Sequence, residues 1–257
     1  MSEAEFVFPV RTKAISLTGR ACSLNCAHCN RHYLGNMGTL GDMEQDKPFS
    51  SILASGGCDK EGRVPLLEFR DELSKLREKY KIVAHTGLFP PGKVKELRGI
   101  ADVVSFDLPP STNAIREVFG IDKTRQDYVD SLCALMKEVP TVPHLTIGLR
   151  GGKIEGERDS LDIIAGLGQK KIVLNVLVPT PGTRYQDRAP PSVGDVVSLL
   201  NYSKRKFDKV YLGCVRPGGN YRERLDKKAL GIVDRIVMPA RGISREKAEV
   251  FHECCAF

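Results

Sequence analysis

The chain has 257 residues, of which 41% are hydrophobic and 28% are charged, and its formal net charge is +7. This composition is that of a globular protein with a sizeable core, and it contains neither an apolar run of membrane-spanning length nor an amino-terminal targeting pattern. We therefore expect a cytoplasmic protein whose eight cysteines serve metal or redox chemistry rather than a disulfide framework.

The positive charge has two interpretations. It suits an anionic partner, and it is equally typical of the lysine-rich surface of a heat-adapted protein. The basic residues are scattered along the chain, and no basic patch interleaved with aromatic residues occurs. We therefore expect neither a nucleic-acid partner nor a membrane.

Eight short apolar runs rich in β-branched residues predict strands along the chain. Amphipathic stretches between them predict helices, for example over 65–80, where Pro65 suits a first helical turn. A second such stretch covers 125–139, and a last helix is expected over 244–257. The predicted strands are Ala14–Thr18, Ser51–Ser55, Ile82–His85, Val103–Asp107, Leu145–Leu149, Ile172–Val178, Lys209–Cys214 and Arg235–Met238.

This alternation favours an α/β fold, a single-domain (β/α)8 TIM-type barrel over residues 1–257, and an open doubly wound sheet is the alternative. The placement of unusual residues supports the barrel, because they follow strand ends, and those ends share one face of a barrel. We expect the helix over 244–257 to close over this mouth. The residues in question are Cys22, Cys26, Cys29, Gly56, Gly57, Cys58, Asp107, Pro181, Gly182 and Cys214.

The stretch CSLNCAHCN contains three cysteines, Cys22, Cys26 and Cys29. A structural zinc site usually pairs two short Cys or His clusters. His28 or His32 could supply a fourth zinc ligand, but His28 lies between two cysteines and would have to fold back on them. Three thiolates with an open fourth position suit an iron–sulfur cluster better.

The CxxxCxxC spacing after the first predicted strand resembles that of the radical S-adenosylmethionine (SAM) superfamily. The resemblance implies a [4Fe–4S] cluster whose fourth iron is chelated by the amino and carboxylate groups of SAM. An electron from the cluster then cleaves SAM to a 5′-deoxyadenosyl radical, which abstracts hydrogen from an unactivated carbon. His28 departs from the family, which usually has an aromatic residue there, although its planar ring can still flank an adenine.

Further motifs follow in the order of that family. The paired glycines of SGGC suit a close approach to the SAM amino group, and the alternate polar residues of SFDLPP point one way, towards ribose or substrate. GLRGG at 148–152 and NVLVPTPGT at 175–183 resemble adenine-contacting segments. Taken singly, each motif is better explained by a plain turn. The resemblance implies SAM contacts at Gly56, Gly57, Ser105, Asp107, Asn175, Pro181 and Gly182.

The remaining cysteines divide into two kinds. Cys133 lies on the apolar stripe of a predicted helix and is expected to pack in the core. The others are expected at the barrel mouth, where one residue of the carboxyl-terminal pair can point towards the barrel axis. Cys58, Cys214 and either Cys254 or Cys255 then form a candidate second cluster site, for which three unrelated thiols are the alternative. Nearby ligand candidates are Arg235, Arg241 and His252.

A second cluster has a known use among sulfur-inserting members of the superfamily. Biotin synthase and lipoyl synthase consume the sulfide of an auxiliary cluster, but the cysteine positions here match neither enzyme. Three stretches, at 17–37, 51–66 and 214–242, resemble instead a split lipoyl synthase of archaea and some bacteria, which consists of two different radical SAM subunits.

This resemblance implies sulfur insertion at C6 or C8 of an octanoyl chain on a carrier, such as the H protein or an E2 lipoyl domain. The catalytic group would be Cys58, Cys214 and Asp107. The implied partners are a second radical SAM subunit and an electron donor such as ferredoxin or flavodoxin. Because such carriers tend to be acidic, the +7 charge would steer their approach.

Two alternatives remain open. One is a biotin-synthase-like enzyme that acts on a small free molecule. The other is a non-catalytic iron–sulfur carrier or scaffold, which has no need for the paired glycines, for Asp107 or for the PTPGT segment.

Overall fold

A computed structural model of the chain describes residues 5–43, 48–244 and 248–257. Within these ranges, ten strands form one sheet in the order β10-β1-β9-β8-β7-β6-β5-β4-β3-β2, and each neighbouring pair is parallel. The strands are β1 Glu5–Val7, β2 Thr12–Ser16, β3 Ser51–Ser55, β4 Lys81–His85, β5 Val103–Asp107, β6 Thr141–Ile147, β7 Lys171–Val176, β8 Lys209–Leu212, β9 Arg235–Val237 and β10 Val250–Phe251.

Strands β2 to β9 correspond to the eight predicted strands and lie in chain order, as a (β/α)8 barrel requires. The α/β barrel class is therefore confirmed. The sheet is a half-barrel, because the described residues form no ladder between its two edges, β2 and β10. The backbone N–H of Arg11 donates to the carbonyl of His252 at 2.9 Å and links these edges. We call this line the seam.

The helix predicted over 244–257 is wrong for its described part, while residues 245–247 lie outside the described ranges. Residues 248–257 contain β10 and turns. The cause is the free edge of β1: the N–H groups of Phe6 and Phe8 donate to the carbonyls of Glu249 and Phe251, each at 2.8 Å. Pairing of an exposed strand edge outweighs local helix propensity here.

The carboxyl-terminal segment lies at the opposite end of the barrel from the predicted one. Glu253 accepts hydrogen bonds from Ser50 at 2.8 Å and from Lys81 at 3.3 Å, at the amino ends of β3 and β4. Cys255 and Ala256 pack among apolar residues inside the barrel. The segment therefore closes the bottom of the barrel and leaves the mouth open.

Helices cover the outside of the sheet. The helix at 125–138 begins with a capping box, in which the Thr124 N–H donates to Asp127 Oδ2 at 2.7 Å and the Asp127 N–H donates back to Thr124 Oγ1 at 3.3 Å. The α-helices are α1 Arg70–Arg77, α2 Thr112–Ala114, α3 Arg125–Glu138, α4 Glu157–Gly166, α5 Val193–Lys204 and α6 Gly219–Ala229, with 3₁₀ turns at Tyr33–Asn36, Leu40–Asp42, Leu66–Phe69 and Pro91–Gly99 and a π turn at Ile115–Phe119.

Alternation along the strands produces two cores. Outward side chains such as Ile52, Ile82 and Phe106 pack against the helices in the larger core. Inward side chains such as Val83 and Val173 form a smaller apolar core in the lower barrel. None of the helices in the described ranges combines the length and the apolar character that crossing a membrane requires.

Candidate functional site

The loop that carries Cys22, Cys26 and Cys29 follows β2 and is fixed by main-chain hydrogen bonds. The N–H of Ala27 donates to the carbonyl of Val118 at 2.7 Å, and the N–H of Tyr185 donates to the carbonyl of Ala27 at 3.0 Å. Asn30 Nδ2 donates to the carbonyl of Gly182 at 3.0 Å. These bonds hold the middle of the loop against two other loops of the barrel mouth, so the three cysteines have a defined arrangement without any ligand.

Gly57 packs directly against this loop. A Cβ atom at position 57 would lie 1.9 Å from the carbonyl oxygen of Ala21 and 2.6 Å from Cβ of Cys22. The Gly57 N–H donates to Thr18 Oγ1 at 2.7 Å, and a Cβ at Gly56 would lie 3.2 Å from the same oxygen. The paired glycines therefore admit the cysteine loop itself, a close approach that accounts for Gly57 without any cofactor.

Cys58 lies beside the first three cysteines. Its N–H donates to Cys22 Sγ at 3.2 Å, and its carbonyl accepts from the N–H of Ser23 at 2.7 Å. Burial, together with the neighbouring thiols of Cys22, Cys26 and Cys29, raises the pKa of the Cys58 thiol to about 12. Burial and the other thiols likewise raise the pKa of Cys26 to about 12.

This position differs from the predicted one, in which Cys58 joins Cys214 and the carboxyl-terminal pair. Cys58 follows β3, the sheet neighbour of β2, whereas Cys214 follows β8 on the far side of the strand order. Sheet order therefore places Cys58 with the loop after β2.

The upper part of the barrel interior is polar, in contrast to the apolar lower part. His85 Nε2 lies 2.6 Å from Asp107 Oδ2, and His85 Nδ1 lies 3.1 Å from Ser55 Oγ. The side chains of His85 and Asp107 remain 35% and 44% accessible although protein surrounds them, which is typical of residues that line a cavity.

Burial alone would favour the neutral forms of His85 and Asp107, but their contact favours the charged form of each. Burial opposes the shift of the His85 pKa, yet the hydrogen bond and charge of Asp107 raise it. Burial also opposes the shift of the Asp107 pKa, which the hydrogen bond and charge of His85 lower. The hydrogen bond between the two side chains therefore outweighs the effect of their burial.

Two further histidines border this pair. Burial lowers the pKa of His28 to about 4 and also lowers that of His144, so both rings are neutral at pH 7. Ser105 Oγ lies 3.2 Å from His144 Nδ1. His85 and His144 were not singled out from the sequence, although their inward direction follows from strand alternation with Ser105 and Asp107.

The second group of cysteines consists of Cys214, Cys254 and Cys255. Burial raises the pKa of Cys214, and the neighbouring Cys254 adds to the effect. The two adjacent thiols influence each other: the neighbouring Cys255 lowers the pKa of Cys254, whereas the neighbouring Cys254 and burial raise that of Cys255. Cys254 also lies within the electrostatic range of His85, so its sulfur faces the polar part of the barrel.

A buried ion pair anchors the loop that carries Cys214. Arg216 bonds both carboxylate oxygens of Asp226 at 2.9 Å, and both side chains are fully buried. Arg216 also donates to the carbonyls of Gly213 at 2.6 Å and Val237 at 2.7 Å. Arg222 donates to the carbonyl of Cys214 itself at 3.2 Å. The position of Cys214 therefore depends on groups inside the fold.

The glycines at 148–152 and 182 play different parts. Gly148 and Gly152 have positive φ, and a Cβ on Gly152 would lie 2.0 Å from the carbonyl oxygen of Ala189, so this segment is a packed turn. Gly182, after Pro181, has no atom within 4 Å of a built Cβ. Gly182 is thus the open position, next to the cysteine loop through Asn30.

The additional ligand candidates for the second cluster make other contacts or lie on the surface. Arg235 forms an ion pair with Glu5 at 2.6 Å, and its guanidinium lies 4.5 Å and 4.3 Å from the ring centres of Tyr211 and Phe251. The carbonyl of His252 belongs to the seam, and Arg241 is exposed. Cys133 packs against the larger core, as expected.

The residues at the mouth fit the predicted cofactors. His28 Nδ1 and Asn175 Oδ1 are buried without a hydrogen-bond partner in the described chain, and such groups are rare unless a ligand or water satisfies them. Within the described ranges no three His, Cys, Asp or Glu side chains converge on a single metal ion. Cys thiolates are the ligands that hold iron–sulfur clusters, so the three cysteines of the loop suit such a cluster.

No protein-family profile matches the sequence, and no curated protein matches it. Among solved structures, the fold resembles one described as "Crystal structure of methylornithine synthase (PylB)". The TM-score is 0.62, the sequence identity is 12%, and the match covers 97% of this chain and 76% of that chain. The likeness concerns the fold.

Proposed function

We propose that the protein is a radical SAM enzyme that inserts sulfur into a protein-bound octanoyl chain as one subunit of a two-subunit lipoyl synthase. The observation that carries the proposal is the pair of cysteine groups: one on the loop after β2, the other at Cys214 and Cys254. The likeness to methylornithine synthase, itself a radical SAM enzyme, supports the superfamily.

Cys22, Cys26 and Cys29 would hold a [4Fe–4S] cluster, which supplies the electron that cleaves bound SAM. The chain's own contribution is to place SAM. The neutral His28 ring and the amide of Asn175 offer unpaired polar atoms, Asp107 offers carboxylate oxygens held by His85, and Gly182 leaves space for a planar ring.

The second cysteine group would hold an auxiliary iron–sulfur cluster, which supplies sulfide as the sulfur source. Cys254 is the better ligand of the adjacent pair, because its side chain is partly exposed whereas Cys255 is buried. Cys255 packs in the apolar lower barrel and supports Cys254 from behind. Cys214 faces Cys254 from the loop after β8.

We infer that the two groups act on one substrate, as sulfur insertion requires. A carbon radical must meet the sulfur before other reactions consume it, so both sites must be close to the substrate. Tyr33 lies within the electrostatic range of both Cys29 and Cys214, which supports the closeness of the two groups. Met238, which follows β9 at the mouth, is 46% exposed and offers apolar surface to an alkyl chain.

The proposed partners follow from the substrate. An octanoylated H protein or E2 lipoyl domain would present the chain, a second radical SAM subunit would insert the other sulfur, and a ferredoxin or flavodoxin would supply electrons. A net charge of +7 favours the approach of acidic carriers.

The test has two stages. Anaerobically reconstituted protein is given SAM and reductant, and 5′-deoxyadenosine is measured. The protein, the second subunit and both together are then incubated with an octanoylated carrier, whose mass is followed. We expect one sulfur from this chain alone and two from the pair.

Three variants sharpen the result. Cys214→Ala and Cys254→Ala should still produce 5′-deoxyadenosine but transfer no sulfur, whereas the matched variant Cys133→Ala should behave as the wild type. Cleavage of SAM without any gain of sulfur by the carrier would indicate a radical SAM enzyme that catalyses another reaction. The absence of SAM cleavage would favour an iron–sulfur carrier.

A further inference from the structure

A fourth thiol stands beside the three cysteines of the loop. Cys58 is partly buried, and its N–H lies 3.2 Å from Cys22 Sγ. Its carbonyl accepts from Ser23 at 2.7 Å, so residues 57 and 58 run alongside residues 21 to 23 through two hydrogen bonds. The Cys58 thiol is in electrostatic contact with all three loop thiols.

Other groups near the loop are less suited to bind iron there. Asp59 Oδ1 accepts the N–H groups of Glu61 at 2.8 Å and Arg63 at 2.9 Å, which fixes this carboxylate in its own turn. The His28 ring contacts Phe119, with ring centres 6.1 Å apart, and its electrostatic partner is Asp107 in the barrel interior. Cys58 is therefore the further thiol that the fold places next to the three cysteines.

We propose that Cys58 is the fourth protein ligand of the cluster at Cys22, Cys26 and Cys29 while SAM is absent, and that SAM displaces it. This inference rests on the proposed function for the displacing ligand. A cubane with four thiolates has no open iron, which protects it from oxidants and loss of iron. Cys58 thus protects the cluster while SAM is absent and leaves the iron when SAM binds.

The exchange balances in bonds and protons. The bond between iron and Cys58 Sγ breaks, and bonds from the same iron to the amino nitrogen and a carboxylate oxygen of SAM form. The ammonium group of free SAM must lose a proton to bind, and the departing thiolate must gain one to become a thiol. No electron is transferred, so the exchange needs neither an oxidant nor a reductant.

The first measurement follows iron loss in SAM-free, anaerobically reconstituted protein. Ferricyanide is added stepwise, while iron per chain and the electron paramagnetic resonance signal of a three-iron cluster are recorded. We expect the Cys58→Ala variant to lose one iron at a lower ferricyanide concentration than the wild type. Cys58→Ser should be intermediate, because an alkoxide is a weaker ligand for iron than a thiolate. Cys133→Ala, a thiol in the helical core, is the matched control and should equal the wild type.

The second measurement is the apparent Kd of SAM, followed through the cluster spectrum. If the Cys58-bound state outnumbers the open state by about ten to one, Cys58→Ala should bind SAM about tenfold more tightly. Both hydrogen bonds of residue 58 with the loop use its backbone, so the Ala variant retains them. Far-ultraviolet circular dichroism checks that the fold is unchanged.

The outcomes separate this inference from the proposed function. Equal iron loss and equal SAM affinity in the wild type and Cys58→Ala would overturn the inference, and weaker SAM binding in the variant would show instead that Cys58 contacts SAM. If the wild type does not cleave SAM but Cys58→Ala still loses iron more easily, Cys58 is a ligand and the proposed function fails. If SAM is cleaved and iron loss is unchanged, the proposed function stands alone.

Discussion

The two cysteine groups are attached to the fold in different ways. The loop of Cys22, Cys26 and Cys29 lies over the barrel mouth and is held by hydrogen bonds between loops, such as that from Ala27 to Val118. The second group depends on the fully buried pair of Arg216 and Asp226 and on the inner core around Cys255. The comparison teaches that the first group can change with little cost to the fold, whereas the second is part of it.

The largest expected effect breaks the anchor of the second group. Asp226→Ala leaves the Arg216 charge buried without a partner and should reduce the free energy of unfolding by about 3–5 kcal/mol. Urea denaturation of the cofactor-free protein measures the loss. Glu223→Ala, which removes an exposed partner of Lys227 on the same helix, is the control and should cost less than about 1 kcal/mol. A similar small loss for Asp226→Ala would contradict the role of the anchor.

A smaller effect on the free energy of unfolding is expected at Gly57, where the loop of the first cysteine group packs against the end of β3. Gly57→Val drives side-chain atoms into Ala21 and Cys22 and should cost about 1–3 kcal/mol. Since the displaced loop carries the cysteines, iron binding at the first site should fall together with SAM affinity. From the sequence alone we would expect SAM affinity to fall with the iron retained, so iron content per chain separates the two accounts. Gly92→Ala, with open space around its Cβ, is the control.

The contact between His85 and Asp107 should make the free energy of unfolding of the cofactor-free protein depend on pH. Because the pKa of His85 is raised, its stabilising contribution is complete below about pH 6.5 and is lost as pH rises through the folded-state value. Because the pKa of Asp107 is lowered, its contribution is complete above about pH 3.9 and is lost as pH falls through the folded-state value.

The free energy of unfolding should therefore decline on the alkaline side of pH 6.5, and His85→Gln should remove that decline. Thermal unfolding from pH 5 to 9 measures it. The variant His252→Gln, whose carbonyl rather than its ring belongs to the seam, controls for general histidine titration. An unchanged profile in His85→Gln would show that the ion pair does not contribute.

The smallest effect on stability is expected for the first group itself. Changing Cys22, Cys26 and Cys29 to Ala should reduce the free energy of unfolding of the cofactor-free protein by about 1 kcal/mol per site or less, because the three thiols are only half-buried. The same triple variant should lose all reductive cleavage of SAM. Residual cleavage, measured as 5′-deoxyadenosine, would remove these residues from the proposed mechanism.

Much of the fold was predictable because buried parallel strands appear in the sequence as short runs of apolar residues. The eight predicted strands are all present, although β6 begins at Thr141 rather than Leu145. Strands β1 and β10 were missed because so few residues show no periodicity. The helix over 244–257 was wrongly predicted because local pattern contains no information about the free edge of β1.

The sequence indicated which candidate residues follow strand ends, but it did not indicate which of them lie together. Strand ends correctly placed Asp107 at the mouth, since the barrel class fixes that face. The partners of a residue depend on strand order and register: Cys58 lies with β2 because β3 is its neighbour, and His85 meets Asp107 because His85 pairs with Ser105. A one-residue change in that register would turn the side chains to the opposite face.

The seam has a dynamic consequence. One of its edges, β2, leads into the loop of the first cysteine group, and the other, β10, leads into Cys254. Ladder-free edges open more readily than the paired strands around them, so the amide of Arg11 should exchange its hydrogen early. Each opening of the seam should change the distance between the two cysteine groups. A partner that binds across the barrel mouth should reduce this motion.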